Sequence, residues 1–309
     1  MSDLDKHLID AVKENNSSLV KDLIKKGADV QFRNSISLII AVKNNNLNIA
    51  ELLIKNGADV NAKDGYSESV LMLASYKGHN DLIKLLIKHG ADVNFNNNFS
   101  LLKLASLGHI DGVKTLIKNG ADVNSKNRDG HTALMNASYD GHLDVVKILI
   151  KNKADVNSKD KYGDIALIWA SKEGHNDVVI NLIKNKADVN ATNGDGGTAL
   201  IMASNNNHLD VVKTLIDNGA DINAKNKTGL NTLIVAAMNL QTQGHNEVVE
   251  TLLLDYQYKV SDKEKEILKA LDLNFTLDLI AKRDLEKKLQ QEIKPIQDNQ
   301  TVSTNRIKL

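Results

Sequence analysis

Short apolar runs in the middle of the chain fall at helical spacing, separated by polar turns. Leu143-Asp-Val-Val-Lys-Ile-Leu-Ile150 gathers its apolar residues on one helical face and predicts a helix. Thr132-Ala-Leu-Met-Asn-Ala-Ser138 opens another helix just before it, and Gly141-His142 lies between the two. An extended turn follows, and the order then recurs. Each recurrence closes on one phrase: Gly27-Ala-Asp-Val30, Gly57-Ala-Asp-Val-Asn61, Gly90-Ala-Asp-Val-Asn94, Gly120-Ala-Asp-Val-Asn124, Lys153-Ala-Asp-Val-Asn157, Lys186-Ala-Asp-Val-Asn190 and Gly219-Ala-Asp-Ile-Asn223. Successive phrases are 30, 33, 30, 33, 33 and 33 residues apart. A fixed period of this size predicts stacked supersecondary units, whose side chains form rows instead of one pocket.

The position between the two helices can be followed through eight units as Asn15, Asn45, Gly78, Gly108, Gly141, Gly174, Asn207 and Gly244. Only Gly and Asn occur there. These two residues best tolerate a positive φ, so the chain is expected to turn through a left-handed conformation at that point. The unit resembles the ankyrin repeat. Its opening appears as Asp129-Gly-His-Thr-Ala-Leu134 and Asp195-Gly-Gly-Thr-Ala-Leu200, with the Gly-His pair, the Val-Val/Leu-Ile helix and the Gly-Ala-Asp-Val-Asn exit in register. The resemblance covers roughly residues 1–260. It implies an all-α repeat solenoid of stacked helix-turn-helix units with β-turn or hairpin fingers.

Several departures from the family pattern carry expectations of their own. Thr-Pro-Leu-His becomes Thr-Ala-Leu-Met or Thr-Ala-Leu-Ile, and the only proline is Pro295, so preorganisation of the first helical turn is lost. Lys153 and Lys186 stand where other units have a helix-ending Gly. The second and fourth units are three residues short, which should shorten the fingers near Asn34-Ser35 and Asn97-Asn98. The eighth is lengthened by Asn239-Leu-Gln-Thr-Gln243 and exits as Asp255-Tyr-Gln-Tyr-Lys259. Ser261-Asp-Lys-Glu-Lys-Glu then opens a helix carrying Ile267, Leu268 and Leu271, and Phe275-Thr-Leu-Asp-Leu-Ile280 leads into a charged helical stretch. The expected organisation is a repeat domain of about eight units over 1–260, a C-terminal helical cap over 261–295, and a disordered polar tail over 296–309.

Composition narrows the function classes. Lys+Arg and Asp+Glu both number 39, so no overall field favours nucleic acid or an anionic membrane. There is no cysteine, which removes disulfides, thiolate zinc sites and a cysteine nucleophile together. No apolar run approaches the roughly 20 residues of a membrane helix, and the polar start Met1-Ser-Asp-Leu-Asp-Lys-His7 lacks a signal-peptide core. A cytoplasmic monomer is expected, in a host cytosol if the protein is an effector.

Candidate chemistry is repetitive. His79, His109, His142, His175, His208 and His245 are each followed two residues later by an acid. Singly these could suggest a metal site or an acid–base dyad. In series they mark the start of each second helix, where the acid suits the helix dipole and the histidine can bond to a neighbouring turn. The first two units use Asn16 and Asn46 instead. Catalysis needs residues that converge once on one pocket, and no such set emerges. No catalytic, cofactor or metal site is therefore assigned, and no enzyme activity is expected.

The aromatic residues are more informative. Leu73/Tyr76/Lys77, Asn136/Tyr139/Asp140, Trp169/Lys172/Glu173 and Met202/Asn205/Asn206 share one face of successive first helices. The resemblance implies that this face lines a concave groove. It also implies that the turn residues Tyr66, Arg128, His131, Lys161, Tyr162 and Asp164 belong to the fingers. Five of the seven Trp and Tyr residues thus fall on one expected surface. Trp, Tyr and Arg dominate interface hot spots, although such rings can also simply fill gaps between turns. The expectation is a scaffold or adaptor for a protein partner of unknown identity, centred between Arg128 and Glu173. The alternatives are a secreted or viral effector that inhibits or recruits a host protein, and a structural spacer without a specific ligand.

Overall fold

The computed structural model describes residues 2–243 and 247–289, and for 240–243 the backbone alone. Gly244, His245, Pro295 and the expected tail over 296–309 lie outside the described residues. The fold is an all-α repeat solenoid. First helices run Asp3–Lys13, Phe32–Lys43, Val70–Lys77, Phe95–Ser106, Ala133–Tyr139, Ala166–Glu173, Ala199–Asn205 and Thr232–Gln243. Their partners are Ser17–Lys25, Leu47–Lys55, Asn80–Lys88, Ile110–Lys118, Leu143–Lys151, Asn176–Lys184, Leu209–Asp217 and Glu247–Glu250, the last continuing into a π-helical turn, Thr251–Asp255.

The two helices of a unit differ because they meet different surroundings. A first helix is flanked by its counterparts and covered by its second helix, so Val70 through Ser75 are all buried. A second helix presents one stripe inward: Leu82, Ile83 and Leu86 are buried while lysines take the outer face. In the fifth unit Ala133, Leu134 and Ala137 pack against Val145, Val146 and Leu149, none more than 1 % exposed. Alanine on the first helix lets neighbours approach closely. Hydroxyl or amide caps start several of these helices, with Ser69, Thr132 and Thr198 accepting from the backbone N–H groups of Met72, Met135 and Ile201.

Left-handed residues punctuate the stack where the Gly/Asn pattern demands. The inter-helix φ values are 58° at Asn15, 54° at Asn45, 64° at Gly78, 69° at Gly108, 74° at Gly141, 80° at Gly174 and 58° at Asn207. At the exit of the second helix, Lys153 and Lys186 both hold φ 68°. A side chain there costs roughly 1–2 kcal/mol relative to Gly, less the extra entropy that glycine loses on folding. Lys153→Gly and Lys186→Gly are each expected to raise Tm in a circular-dichroism melt; an unchanged or lower Tm would contradict this.

The exit phrase also ties units together. Asn124 Nδ2 donates to the Lys153 carbonyl at 3.1 Å while its Oδ1 accepts from the Asp155 N–H at 2.8 Å. Asn157 repeats both bonds with Lys186 and Asp188, and Asn190 with Gly219 and Asp221. Each amide therefore satisfies one donor and one acceptor of the next unit's turn. The first unit has Gln31 instead, which still reaches the Gly57 carbonyl at 2.9 Å.

The shortened second and fourth fingers become single left-handed turns, Arg33-Asn34-Ser35 and Asn96-Asn97-Asn98, with φ between 49° and 59°. Asparagine and its neighbours accept this conformation because the loop is too short for a full finger. Full-length fingers are turns, three of them closed by an isolated antiparallel bridge, Lys63 to Ser69, Thr192 to Thr198 and Lys225 to Asn231.

Two compact bodies divide the chain, residues up to 170 with 177–188, and residues 171–176 with those from 189 onward. Within the first, neighbouring first helices pack more closely on one another than neighbouring second helices do. Within the second, helix Asp262–Ala270 packs on Thr232–Gln243, and residues 274–289 are helical. A buried polar knot pins this segment: Asn231 Nδ2 donates to Tyr258 Oη at 2.8 Å and to Glu264, Tyr258 donates to Glu264 Oε1 at 2.9 Å, and Arg283 Nη1 reaches the Tyr258 carbonyl at 2.7 Å. Burial, and then the Glu264 carboxylate, push the Tyr258 phenol well above its ordinary range.

Candidate functional site

Every full-length finger grows from one Asp or Asn. Asp160 Oδ1 accepts from the N–H groups of Tyr162 at 2.8 Å and Asp164 at 3.0 Å. Asp64, Asn127, Asn193 and Asn226 make the same pair of bonds two and four residues ahead. This closes the finger as an Asx turn. Asparagine suffices for that role, but two units use aspartate, whose second oxygen remains available.

At Asp160 that oxygen organises the aromatic cluster. Trp169 Nε1 donates to Asp160 Oδ2 at 3.3 Å, and His131 Nε2 lies 3.5 Å from the same atom. The Trp169 ring meets His131 edge-on, with centroids 5.6 Å apart, and Tyr139 likewise at 5.5 Å. The carboxylate itself has no exposed surface, whereas Tyr139 is 42 % and Tyr162 56 % exposed. Lys161 sits 4.9 Å from the Tyr162 ring and pairs with Asp129. That pairing holds the Asp129 carboxyl below its usual range and raises the Lys161 amine.

At Asp64 the second oxygen takes Lys43 Nζ at 2.8 Å, which keeps the carboxyl below its ordinary range. Tyr76 lies nearby in the stack. Its hydroxyl donates to Glu68 Oε1 at 2.8 Å, and its ring packs against Phe99 at 5.1 Å and under Lys103 at 5.8 Å. Burial, reinforced by Glu68, pushes the Tyr76 phenol up to about 12.

Residues expected from sequence thus separate into groups. His131, Tyr139 and Trp169 converge, with Tyr162 and Asp164 on the finger that the same Asp160 closes. Tyr76 belongs to a different cluster and is half-buried; Lys77, Arg128 and Asp140 are exposed. Tyr66 stands 87 % exposed at its finger tip. In the second compact body, the Lys172 carbonyl accepts from Asn206 Nδ2 and His208 Nε2, both at 3.0 Å. Glu173 is half-buried there and Asn205 exposed. Sequence reasoning passed over Asp160, Phe99 and Lys103. For Asp160 a signal existed, the Asp or Asn recurring at 64, 127, 160, 193 and 226.

The serial histidines act between turns. His142 Nε2 lies 2.9 Å from the Ser106 carbonyl, and its ring covers Gly108, where a Cβ would stand 2.7 Å from Nδ1. His208 covers Gly174 in the same way. Asn16 and Asn46 cap their helices directly, accepting from Leu19 and Ile49. Among the described residues no group of three or more His, Asp or Glu could hold a metal ion, and no helix is long and apolar enough to cross a membrane.

The family model described as ankyrin repeats in three copies matches residues 8–97, 38–127, 101–193 and 180–264. No curated protein matches the chain. Repeats of this family are generally protein–protein interaction modules and typically non-catalytic. With the period, the paired helices, the left-handed turns and this match in agreement over most of its length, the chain belongs to the ankyrin repeat family.

Proposed function

We propose that the protein is a non-catalytic scaffold or adaptor that holds a protein partner across its fingers and first helices, with Tyr139 and Trp169 at the centre. One observation carries this reading: a Trp ring is oriented by a buried carboxylate, a histidine and Tyr139, and both Tyr139 and Tyr162, on the finger that the same carboxylate closes, are exposed. Fixing a large ring before binding removes an ordering cost from association, and Trp and Tyr are the residues that anchor interfaces. An effector engaging a host protein would use the same face.

The test is affinity capture with Tyr139→Ala, Tyr162→Ala and Trp169→Ala, each checked for fold by circular dichroism. Loss of a captured protein that the parent chain retains is expected. An unchanged set of partners on folded variants would retire this site and favour a spacer without a specific ligand.

A further inference from the structure

Full-length fingers bond their neighbours through the backbone, as where the Lys161 N–H donates to the Asp129 carbonyl at 3.0 Å. The truncated fourth finger is only a left-handed turn, and beside it the surface opens. A recess of about 410 Å³ lies between Asn96-Asn97 and Arg128, floored by Phe99 and Leu102. A second, of about 480 Å³, lies against Leu73, Tyr76 and Lys77. Lys103 lines both recesses.

Charge around these recesses is one-sided although the whole chain is neutral. Lys77 and Arg128 have no acidic partner among the described residues, and Lys103 rests over the Tyr76 ring without one. Of the nearby acids, Asp64 is paired with Lys43 and Asp129 with Lys161, while Glu68 accepts from the neutral Tyr76 hydroxyl and keeps its charge. Three unpaired cations against one unpaired carboxylate, Glu68, therefore leave the rim of an apolar floor net positive.

We infer that these recesses receive an extended acidic segment of the protein partner, its carboxylates on Lys77, Lys103 and Arg128 and an apolar side chain on Phe99 and Leu102. The inference rests on the reading of the chain as a protein binder and adds the partner's chemistry. Charge complementarity of this kind steers encounter and fixes register. A nucleic acid is disfavoured, because the chain carries no net positive charge to hold a phosphate backbone.

The probe is a fluorescein-labelled peptide with glutamates flanking a central leucine, compared with its glutamine counterpart and a labelled oligouridylate by fluorescence anisotropy on the full chain. The glutamate peptide should bind more tightly than the other two, and less tightly as salt is raised. Lys103→Glu combined with Arg128→Glu should weaken it by roughly tenfold or more, while Lys147→Glu on the opposite helix should not. Lys103→Gln with Arg128→Gln guards against misfolding and should weaken it in the same direction. Absent binding, equal binding of the glutamine peptide, tighter binding of oligouridylate, or indifference to the charge changes would overturn the inference. Lysate capture separates the two readings: partners lost on Trp169→Ala while the acidic peptide fails to bind would leave the scaffold standing and remove only its acidic ligand.

Discussion

Asp160→Ala should destabilise the protein by roughly 2–4 kcal/mol, because it strips acceptors from three N–H groups at once in a part-buried setting. Those donors are the backbone amides of Tyr162 and Asp164 and the indole of Trp169. The chain contains one tryptophan, so its fluorescence reports this site alone. A red-shifted emission is expected along with the lower Tm, as the ring loses its anchor and meets water. Asp160→Asn should behave differently. An amide already closes the neighbouring finger at Asn127, so most stability should survive, while the Trp169 spectrum still changes. An Asp160→Ala variant with parental Tm and spectrum would show that the carboxylate does not hold the cluster.

Gly130→Ala should cost roughly 2–3 kcal/mol and Gly229→Ala only about 1 kcal/mol, although the two share one position in their fingers. Their φ values are 83° and 81°, so left-handed strain is common to both. They differ in what a methyl group would meet. At Gly130 it would stand 2.9 Å from the Lys161 backbone nitrogen and 3.0 Å from the Asp160 Cα; at Gly229 nothing lies within 4 Å. Backbone cannot swing aside as a side-chain tip can, so the alanine must push adjacent fingers apart and break the Lys161–Asp129 bond. Ser67 supports the argument: it fills the same position at φ 64°, in the finger that precedes a truncated one. Equal losses of Tm in the two variants would contradict it.

These residues also mark how far the sequence could be read. The period, the helix pairs, the left-handed Gly and Asn positions and the strained Lys153 and Lys186 were legible, because each is a local backbone requirement that repeats. The short fingers were legible as missing residues, though not as three successive left-handed residues. What escaped was contact between units. Nothing local to Asp160 says that its second oxygen faces an indole nine residues on and an imidazole from the preceding finger, since that depends on how adjacent units stack. Phe99 and Lys103 escaped for the same reason, as their partner Tyr76 belongs to the unit before. The recurrence of Asp or Asn at each finger root was visible, but only a structure separates the roots with a spare carboxylate oxygen from those without.

The central claim is that partners engage the finger and first-helix face. Site-specific photocrosslinking tests it most directly, with benzoylphenylalanine in place of Tyr139 in one chain and of Lys147, exposed on the second helix, in another. Irradiation in lysate should give a discrete protein adduct at position 139 and none at 147. Adducts at 147 alone, or equal patterns at both, would mean that the interaction surface lies elsewhere.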